Sequence, residues 1–197
     1  MARIAEINAM LAPPRAEPPP ATATTFGSAL DQATAAGTAP ASPLGWSPAG
    51  GGSAGQRMLA AAQAELGQAE QPPGSNDSPR IAEYRTATAG SGVGPWCAYF
   101  VSWAAREAGV PIGDAGQGYG LVDDVWAWGQ RAGKAIPAGS GTPQPGDLIV
   151  WDEHIGVVES VGADGAITTI EGNSSDQVAR RTYGADGGGA IGFVRVG

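Results

Sequence analysis

In Gly94-Pro95-Trp96-Cys97-Ala98-Tyr99-Phe100-Val101-Ser102-Trp103, a loop rich in glycine and proline passes into an apolar segment suited to a helix. The segment contains the chain's only cysteine, Cys97, and this boundary places it in the first helical turn. The first N–H groups of a helix lack partners within it and the helix dipole is positive there, so a thiol at this end ionises more readily than a free one. The sequence therefore predicts a nucleophilic thiol at a helix N-terminus.

A cysteine nucleophile needs a base, and the candidate is the chain's only histidine, His154. It stands just before the β-rich segment 155–161. Glu171 and Asn173 follow at the end of the next such segment, and as residues i and i+2 they share one face of a strand. Either side chain can accept the imidazole N–H and so hold the ring in the tautomer that suits a base. The residues alone leave open which of the two does so.

The pattern of apolar residues predicts helices first and strands afterwards. The expected helices are 54–66, opened by a capping box at Ser53 and Gln56, then 80–84, 97–109 and 121–131. The expected strands are 148–151, 155–161, 166–171 and 191–196. This order is typical of an α+β domain whose strands form an antiparallel meander.

Residues 1–52 have the composition of a linker, rich in proline, alanine, threonine, serine and glycine. We predict a disordered, low-complexity arm with short helical patches over 1–52, and a folded domain over 53–197. The N-terminal apolar patch contains Glu6 and Asn8, so it does not have the form of a classical secretory signal. If the protein works outside the cytoplasm, we expect another route of export.

Charge and composition exclude several kinds of partner. The formal net charge of −8, with no cluster of lysine or arginine, argues against nucleic acid and anionic membrane surfaces. No apolar run approaches the roughly 20 residues that span a bilayer, so we expect no membrane insertion. One cysteine and one histidine cannot complete a Cys/His zinc site. We therefore expect neither a metal ion nor another cofactor.

Four segments resemble, in order, the motifs of the CHAP domain, a family of cysteine- and histidine-dependent amidohydrolases and peptidases in the wider NlpC/P60, papain-like group. The segments are Pro95–Trp103, Pro145–Trp151, His154–Val158 and Ile170–Asn173. The resemblance extends over about residues 56–196. It implies a papain-like fold in which N-terminal helices pack on a C-terminal antiparallel sheet or half-barrel.

The resemblance also implies a reaction, the hydrolysis of an amide bond in peptidoglycan. By position, Cys97 is the nucleophile and His154 is the general base and later the acid. Glu171 is then the orienting carboxylate, and Asn173 is an auxiliary residue. The residues expected to line the substrate groove are Trp96, Asn76, Glu70 and Trp151.

The bond that is cut stays open between an N-acetylmuramoyl-L-alanine amidase and a peptide endopeptidase. We expect an extracytoplasmic protein of the periplasm or cell wall, with peptidoglycan as its substrate and an export or assembly partner for the arm. The alternative is a non-catalytic peptidoglycan-binding or structural module, for instance of a flagellar or phage assembly. A purely binding module has no need of a nucleophile and a base together, which favours the enzyme.

Overall fold

The structure, a computed structural model, describes residues 53–197. The predicted arm over 1–52 lies outside the described residues, so its disorder, its helical patches and the boundary at 53 stay predictions. Across the described range, four helices precede a six-stranded antiparallel sheet, which confirms the α+β prediction. None of these helices is long and apolar enough to cross a membrane.

The helices and strands are numbered here in chain order. The helices are α1 (Ala54–Ala64), α2 (Pro79–Arg85), α3 (Cys97–Glu107) and α4 (Val122–Arg131). The strands are β1 (Ala135–Pro137), β2 (Leu148–Val150), β3 (Ile155–Val161), β4 (Ile167–Glu171), β5 (Ala179–Tyr183) and β6 (Gly192–Val194). The sheet order is β1-β6-β2-β3-β4-β5, and every neighbouring pair is antiparallel.

Local capping explains where the first two helices begin. Ser53 Oγ accepts a hydrogen bond from the Gln56 backbone at 3.3 Å, and Gln56 Oε1 accepts one from the Ser53 backbone at 3.1 Å. This capping box confirms the start predicted for α1. At α2, Ser78 Oγ accepts from the Ile81 backbone at 3.2 Å, and Pro79 occupies the first helical position, where it removes no helical hydrogen bond.

Helix α3 is the centre of the core. All nine residues from Cys97 to Ala105 are buried, because α1, α2 and β3 surround the helix. The ring of Phe100 in α3 packs edge-on against the ring of Tyr84 in α2, and the two ring centroids are 5.4 Å apart. A helix that is apolar all round belongs in an interior. The first turn of α3 is therefore held in place by packing on several sides.

Two strands, β1 and β5, were not predicted, and they lie at the two edges of the sheet. Strand β5 contains Arg180 and Arg181, and its residues alternate between less and more exposed positions, with Ala179 buried. Strand β1 has three residues, none of them buried, and ends at Pro137. Proline is tolerated at such an edge because no further strand needs its missing N–H. Both segments are strands because they pair with strands that are distant along the chain. The local pattern of apolar residues does not predict such pairing.

The antiparallel pairing of β3 with β4 brings the predicted site residues together. Strand β3 begins directly after His154, and β4 ends at Glu171. Because the strands run in opposite directions, with Val157 opposite Ile170, the start of β3 lies beside the end of β4. At Gly156, two residues after His154, a Cβ atom would lie 2.7 Å from Glu171 Cγ, so the glycine leaves room for the glutamate side chain. The fold thus places a histidine and a carboxylate at one end of the sheet.

Candidate active site

Cys97 is the first residue of α3, as the sequence predicted. Its side chain is buried against the core, and the residue is 5% exposed. The preceding residue, Trp96, is the N-cap and provides no side-chain cap to the helix. The N–H groups of a first helical turn have no acceptor within the helix. The backbone N–H of Cys97 is therefore available as a hydrogen-bond donor next to its own thiol.

A surface cleft of about 420 Å³ reaches Cys97. One side is formed by the loop before α3 and the other by the start of α4 and the turn before β3. Its lining residues are Pro95, Cys97, Tyr99, Gly120, Leu121, Val122, Asp123, Asp152 and Glu153. Leu121 is 66% exposed, which leaves an apolar side chain in solvent at the rim. The cleft connects solvent with the residue that carries the thiol.

His154 connects the thiol to a buried carboxylate. Its Nε2 atom lies 2.9 Å from Glu171 Oε2. Because Glu171 occupies Nε2, the nitrogen left for Cys97 is Nδ1, and the imidazole also interacts with the Cys97 side chain. The His154 side chain is 30% exposed and that of Glu171 is 2% exposed. The structure thus brings Cys97, His154 and Glu171 into one connected group.

The pKa of His154 reflects opposing influences. Burial of the ring lowers it, whereas the interactions with Cys97 and Glu171 favour the charged imidazolium. Together, the interactions with Cys97 and Glu171 outweigh the effect of burial and raise the pKa of His154 to about 9. The imidazole is therefore protonated at neutral pH.

Glu171 is held by three hydrogen bonds. Besides His154, the hydroxyl groups of Thr169 and Tyr183 donate to its Oε1 atom, at 2.6 and 2.9 Å. Burial raises the pKa of Glu171, but these hydrogen bonds outweigh it and the net pKa is lowered, so the group is a carboxylate. Burial and the contact with Glu171 raise the pKa of Tyr183 to about 12, which keeps its hydroxyl a donor.

Sequence reasoning missed both hydroxyl donors. Thr169 precedes Glu171 by two residues on a strand, so the alternation of side chains places both on the same face and is a usable signal. Tyr183 lies at the end of β5, a strand that was not predicted. No local feature of the sequence marks it as a partner of Glu171.

Trp151 packs on the histidine, as expected of a residue at the edge of the site. Its ring stacks on His154 with centroids 5.5 Å apart and an interplanar angle of 28°. Its Nε1 donates to the Gly187 carbonyl at 2.8 Å, which fixes the indole. The indole is half-buried and supports one face of the imidazole. Its predicted role in lining the groove stays a prediction.

Asn173 lies in a second group, formed with Glu70, Trp96 and Asn76. The Asn173 side-chain amide has one orientation in which both its oxygen and its nitrogen form hydrogen bonds. In that orientation the oxygen accepts from the Trp96 backbone N–H at 3.3 Å and the nitrogen donates to Glu70 Oε1 at 3.2 Å. Glu70 Oε1 also accepts from Trp96 Nε1 at 2.9 Å, and Oε2 accepts from the Asn76 backbone at 2.8 Å. The hydrogen-bond partner of His154 is Glu171, whereas Asn173 is joined to the segment before the nucleophile.

Two of the predicted groove residues need correction. Trp96 is completely buried and Glu70 is 3% exposed, so neither side chain lines an open groove. Trp96 packs in the aromatic core, with its ring stacked 5.8 Å from Tyr84, and Glu70 is enclosed by the N–H groups that bind it. Asn76 is half-buried with a positive φ of 55°, and the contribution of its side chain to a groove stays a prediction.

The fold and the site together define an α+β domain with a cysteine, a histidine and a carboxylate assembled where the nucleophile helix meets the sheet. Within residues 53–197, no group of three or more histidine, cysteine, aspartate or glutamate side chains could hold a metal ion. The chemistry available from these residues is that of a thiol nucleophile beside a charged imidazole.

Comparison with protein families gives the same class. The model of the CHAP domain matches residues 88–173, a span that contains Cys97, His154, Glu171 and Asn173. This match confirms the resemblance to the CHAP domain that the sequence motifs indicated. Domains of this family are generally cysteine- and histidine-dependent amidohydrolases. Neither the curated proteins nor the solved structures gave a match.

Proposed function

We propose that this protein is a peptidoglycan hydrolase that cleaves an amide bond by a thiol mechanism. The bond is either the one between N-acetylmuramic acid and L-alanine or one within the stem peptide. The observation that carries the proposal is the connected group of Cys97, His154 and Glu171 at the cleft. The family match supports the same reaction class and substrate.

In the first half of the proposed reaction, the thiol proton resides on His154 Nδ1, so that a thiolate faces an imidazolium. The sulfur attacks the carbonyl carbon of the scissile amide, and the carbonyl electron pair moves to oxygen. The Cys97 backbone N–H donates to this oxyanion, because a helix N-terminus favours negative charge. As the intermediate collapses, the C–N bond breaks and the leaving amine takes the Nδ1 proton. A thioester and a neutral imidazole remain.

In the second half, water replaces the amine. Neutral His154 accepts a proton from the water as its oxygen attacks the thioester carbon, and the C–S bond then breaks. The products are a carboxylic acid and the original thiolate and imidazolium pair. Glu171 stays ionised throughout and accepts from Nε2–H, which keeps Nδ1 directed at the sulfur.

The substrate determines where the protein acts. Peptidoglycan lies outside the cytoplasm, so we expect the protein to work in the periplasm or cell wall. An arm over residues 1–52 would then serve export or the binding of an assembly partner. The match to a wall-directed domain family supports this location at the level of the family.

The test is the release of soluble fragments from purified peptidoglycan by wild-type protein and by Cys97→Ala. We expect wild-type protein to release fragments and Cys97→Ala to release none, although it stays folded by circular dichroism. Release by Cys97→Ala at the wild-type rate would contradict the thiol mechanism. Co-sedimentation of both proteins with peptidoglycan, with no release by either, would favour the non-catalytic binding module instead.

A further inference from the structure

Glu70 is a buried acid whose side chain accepts hydrogen bonds from N–H groups. Its two oxygens accept from Trp96 Nε1 at 2.9 Å, from the Asn76 backbone at 2.8 Å and from the Asn173 amide at 3.2 Å. It forms no ion pair with any residue of 53–197. Burying a carboxylate is costly unless its oxygens are well satisfied, so these three donors are needed to keep it inside the fold.

The three donors belong to three separate parts of the chain. Asn76 lies in the loop before α2, and Trp96 is the N-cap directly before the nucleophile. Asn173 follows two residues after Glu171, just beyond the end of β4. The Asn173 oxygen accepts from the Trp96 backbone N–H at 3.3 Å, which closes a ring of contacts. Glu70 is thus the point at which the start of α3 and the end of β4 are joined.

The same two segments carry the reacting groups. Cys97 is covalently next to Trp96, and Glu171, the partner of His154, lies two residues before Asn173. A change in the distance between the start of α3 and the end of β4 therefore changes the distance between the thiol and the imidazole. Glu70 itself precedes the residues 88–173 that match the CHAP domain and takes no part in the proposed proton transfers.

We propose that Glu70 is a positioning residue, whose carboxylate sets the separation of Cys97 and His154 by holding Trp96 and Asn173. The proposal rests on the proposed thiol mechanism for its effect on turnover. The effect on the thiol itself does not depend on which substrate is cleaved. A displacement of about 1 Å in such a pair is sufficient to cost about a hundredfold in rate.

A carboxylate fits this position better than an amide. Both oxygens of Glu70 face N–H donors, so each must act as an acceptor. In Glu70→Gln, one of these atoms becomes an NH₂ group that points at a donor, whichever way the amide is turned. The substitution conserves shape and leaves at least one buried N–H donor facing an NH₂ group, so it weakens the ring of contacts around Glu70 without opening a cavity.

The first experiment measures the rate at which iodoacetamide alkylates Cys97, as a function of pH, in the full-length protein. We expect Glu70→Gln to slow alkylation about tenfold at pH 7 and to change its pH dependence, because the thiol loses its alignment with His154. On peptidoglycan, kcat should fall about tenfold or more while KM stays within about twofold.

The matched control is Asp147→Asn. Asp147 is also a buried acid, 4% exposed, and accepts from Arg195 and from the Gln144 backbone. It lies before β2, at the other end of that strand from His154. We expect Asp147→Asn to lower Tm but to leave the alkylation rate and its pH dependence within about twofold of wild type, since it does not touch the joined segments.

A second variant covers the case in which Glu70→Gln does not fold. Asn173→Ala removes the other side of the same contact at a half-buried position and should slow alkylation in the same direction. A folded Glu70→Gln protein, or Asn173→Ala, with the wild-type alkylation rate and pH dependence would overturn the proposal. If peptidoglycan is not the substrate, alkylation still reports the position of the thiol, so failure of the proposed function is separable from failure of this inference.

Discussion

The carboxylate of Glu171 divides its two oxygens between different tasks. Oε1 accepts from the hydroxyl groups of Thr169 and Tyr183, and Oε2 is left for His154 Nε2. The two hydroxyl groups therefore fix the orientation of the Glu171 carboxylate, and the carboxylate in turn fixes the orientation of the His154 imidazole. Asn173 has a different set of partners, Glu70 and the backbone N–H of Trp96, the residue directly before Cys97.

This difference predicts the relative effects of two substitutions. Glu171→Gln keeps the shape of the side chain but removes the charge that stabilises the His154 imidazolium, so kcat/KM should fall at least about tenfold. Asn173→Ala should cost less, because Glu70 still binds Trp96 Nε1. The measurement is kcat/KM of both variants on purified peptidoglycan. A larger loss in Asn173→Ala would make Asn173 the third member of the catalytic group.

The raised pKa of His154 predicts the alkaline limit of activity. A pKa of about 9, above the ordinary value near 6.5, means that imidazolium persists through neutral pH and is lost as the pH rises through about 9. We expect kcat/KM to decline above that pH. Glu171→Gln removes one of the interactions that raise the pKa, so the decline should move to lower pH. A pH profile with the same alkaline limb in both proteins would contradict the role given to Glu171.

Among the helices and strands, those that depend on local sequence signals were predicted, and those that depend on long-range strand pairing were not. The starts of α1 and α3 follow from a capping box and from a glycine- and proline-rich loop, both read within a few residues. Strand β5 owes its existence to pairing with β4, from Ile167 opposite Tyr183 to Glu171 opposite Ala179. The sequence therefore predicted the grouping of Cys97, His154 and Glu171 but not the contact of Tyr183 with Glu171, which depends on that pairing.

The same distinction applies to the site. Cys97, His154 and Glu171 were identified because their residue types, order and flanking motifs carry chemical information. The burial of Glu70 was not predicted, because a charged side chain is ordinarily expected at a surface. Its burial here depends on donors from three segments that are distant along the chain, and only the folded structure brings these together.

Helix α3 and the residue after β4 are tightly packed against each other. At Gly172, a Cβ atom would lie 2.6 Å from Phe100 Cβ and 2.8 Å from its Cγ. We expect Gly172→Ala to separate the two elements, to destabilise the fold by about 1–3 kcal/mol and to reduce kcat about tenfold or more. Thermal unfolding and peptidoglycan turnover measure the two effects.

The control for this substitution is Gly184→Ala, in the segment after β5. A Cβ atom there would have Asp186 Oδ1 as its nearest neighbour at 3.3 Å, at the end of a flexible side chain. Tm and turnover should both stay close to wild type. Equal behaviour of Gly172→Ala and Gly184→Ala would show that the approach of α3 to β4 does not control the site.

Across the whole molecule the protein is acidic, and the acidic residues extend to the cleft. The chain carries a formal net charge of −8, and Asp123, Asp152 and Glu153 line the cleft beside Cys97. Within residues 53–197, none of these three carboxylates forms an ion pair. Such a field repels anionic polymers. It is compatible with a substrate recognised through amide and sugar groups.

The central claim is that water hydrolyses one peptidoglycan amide through a thioester on Cys97. The direct test is the mass spectrum of muropeptides after digestion in water enriched in ¹⁸O. The wild-type digest should contain new carboxyl groups that each carry one ¹⁸O atom, on lactyl groups for an amidase or on cut stems for an endopeptidase, and Cys97→Ala should give none. Fragments without a labelled carboxyl group, or labelled fragments from Cys97→Ala, would contradict the claim.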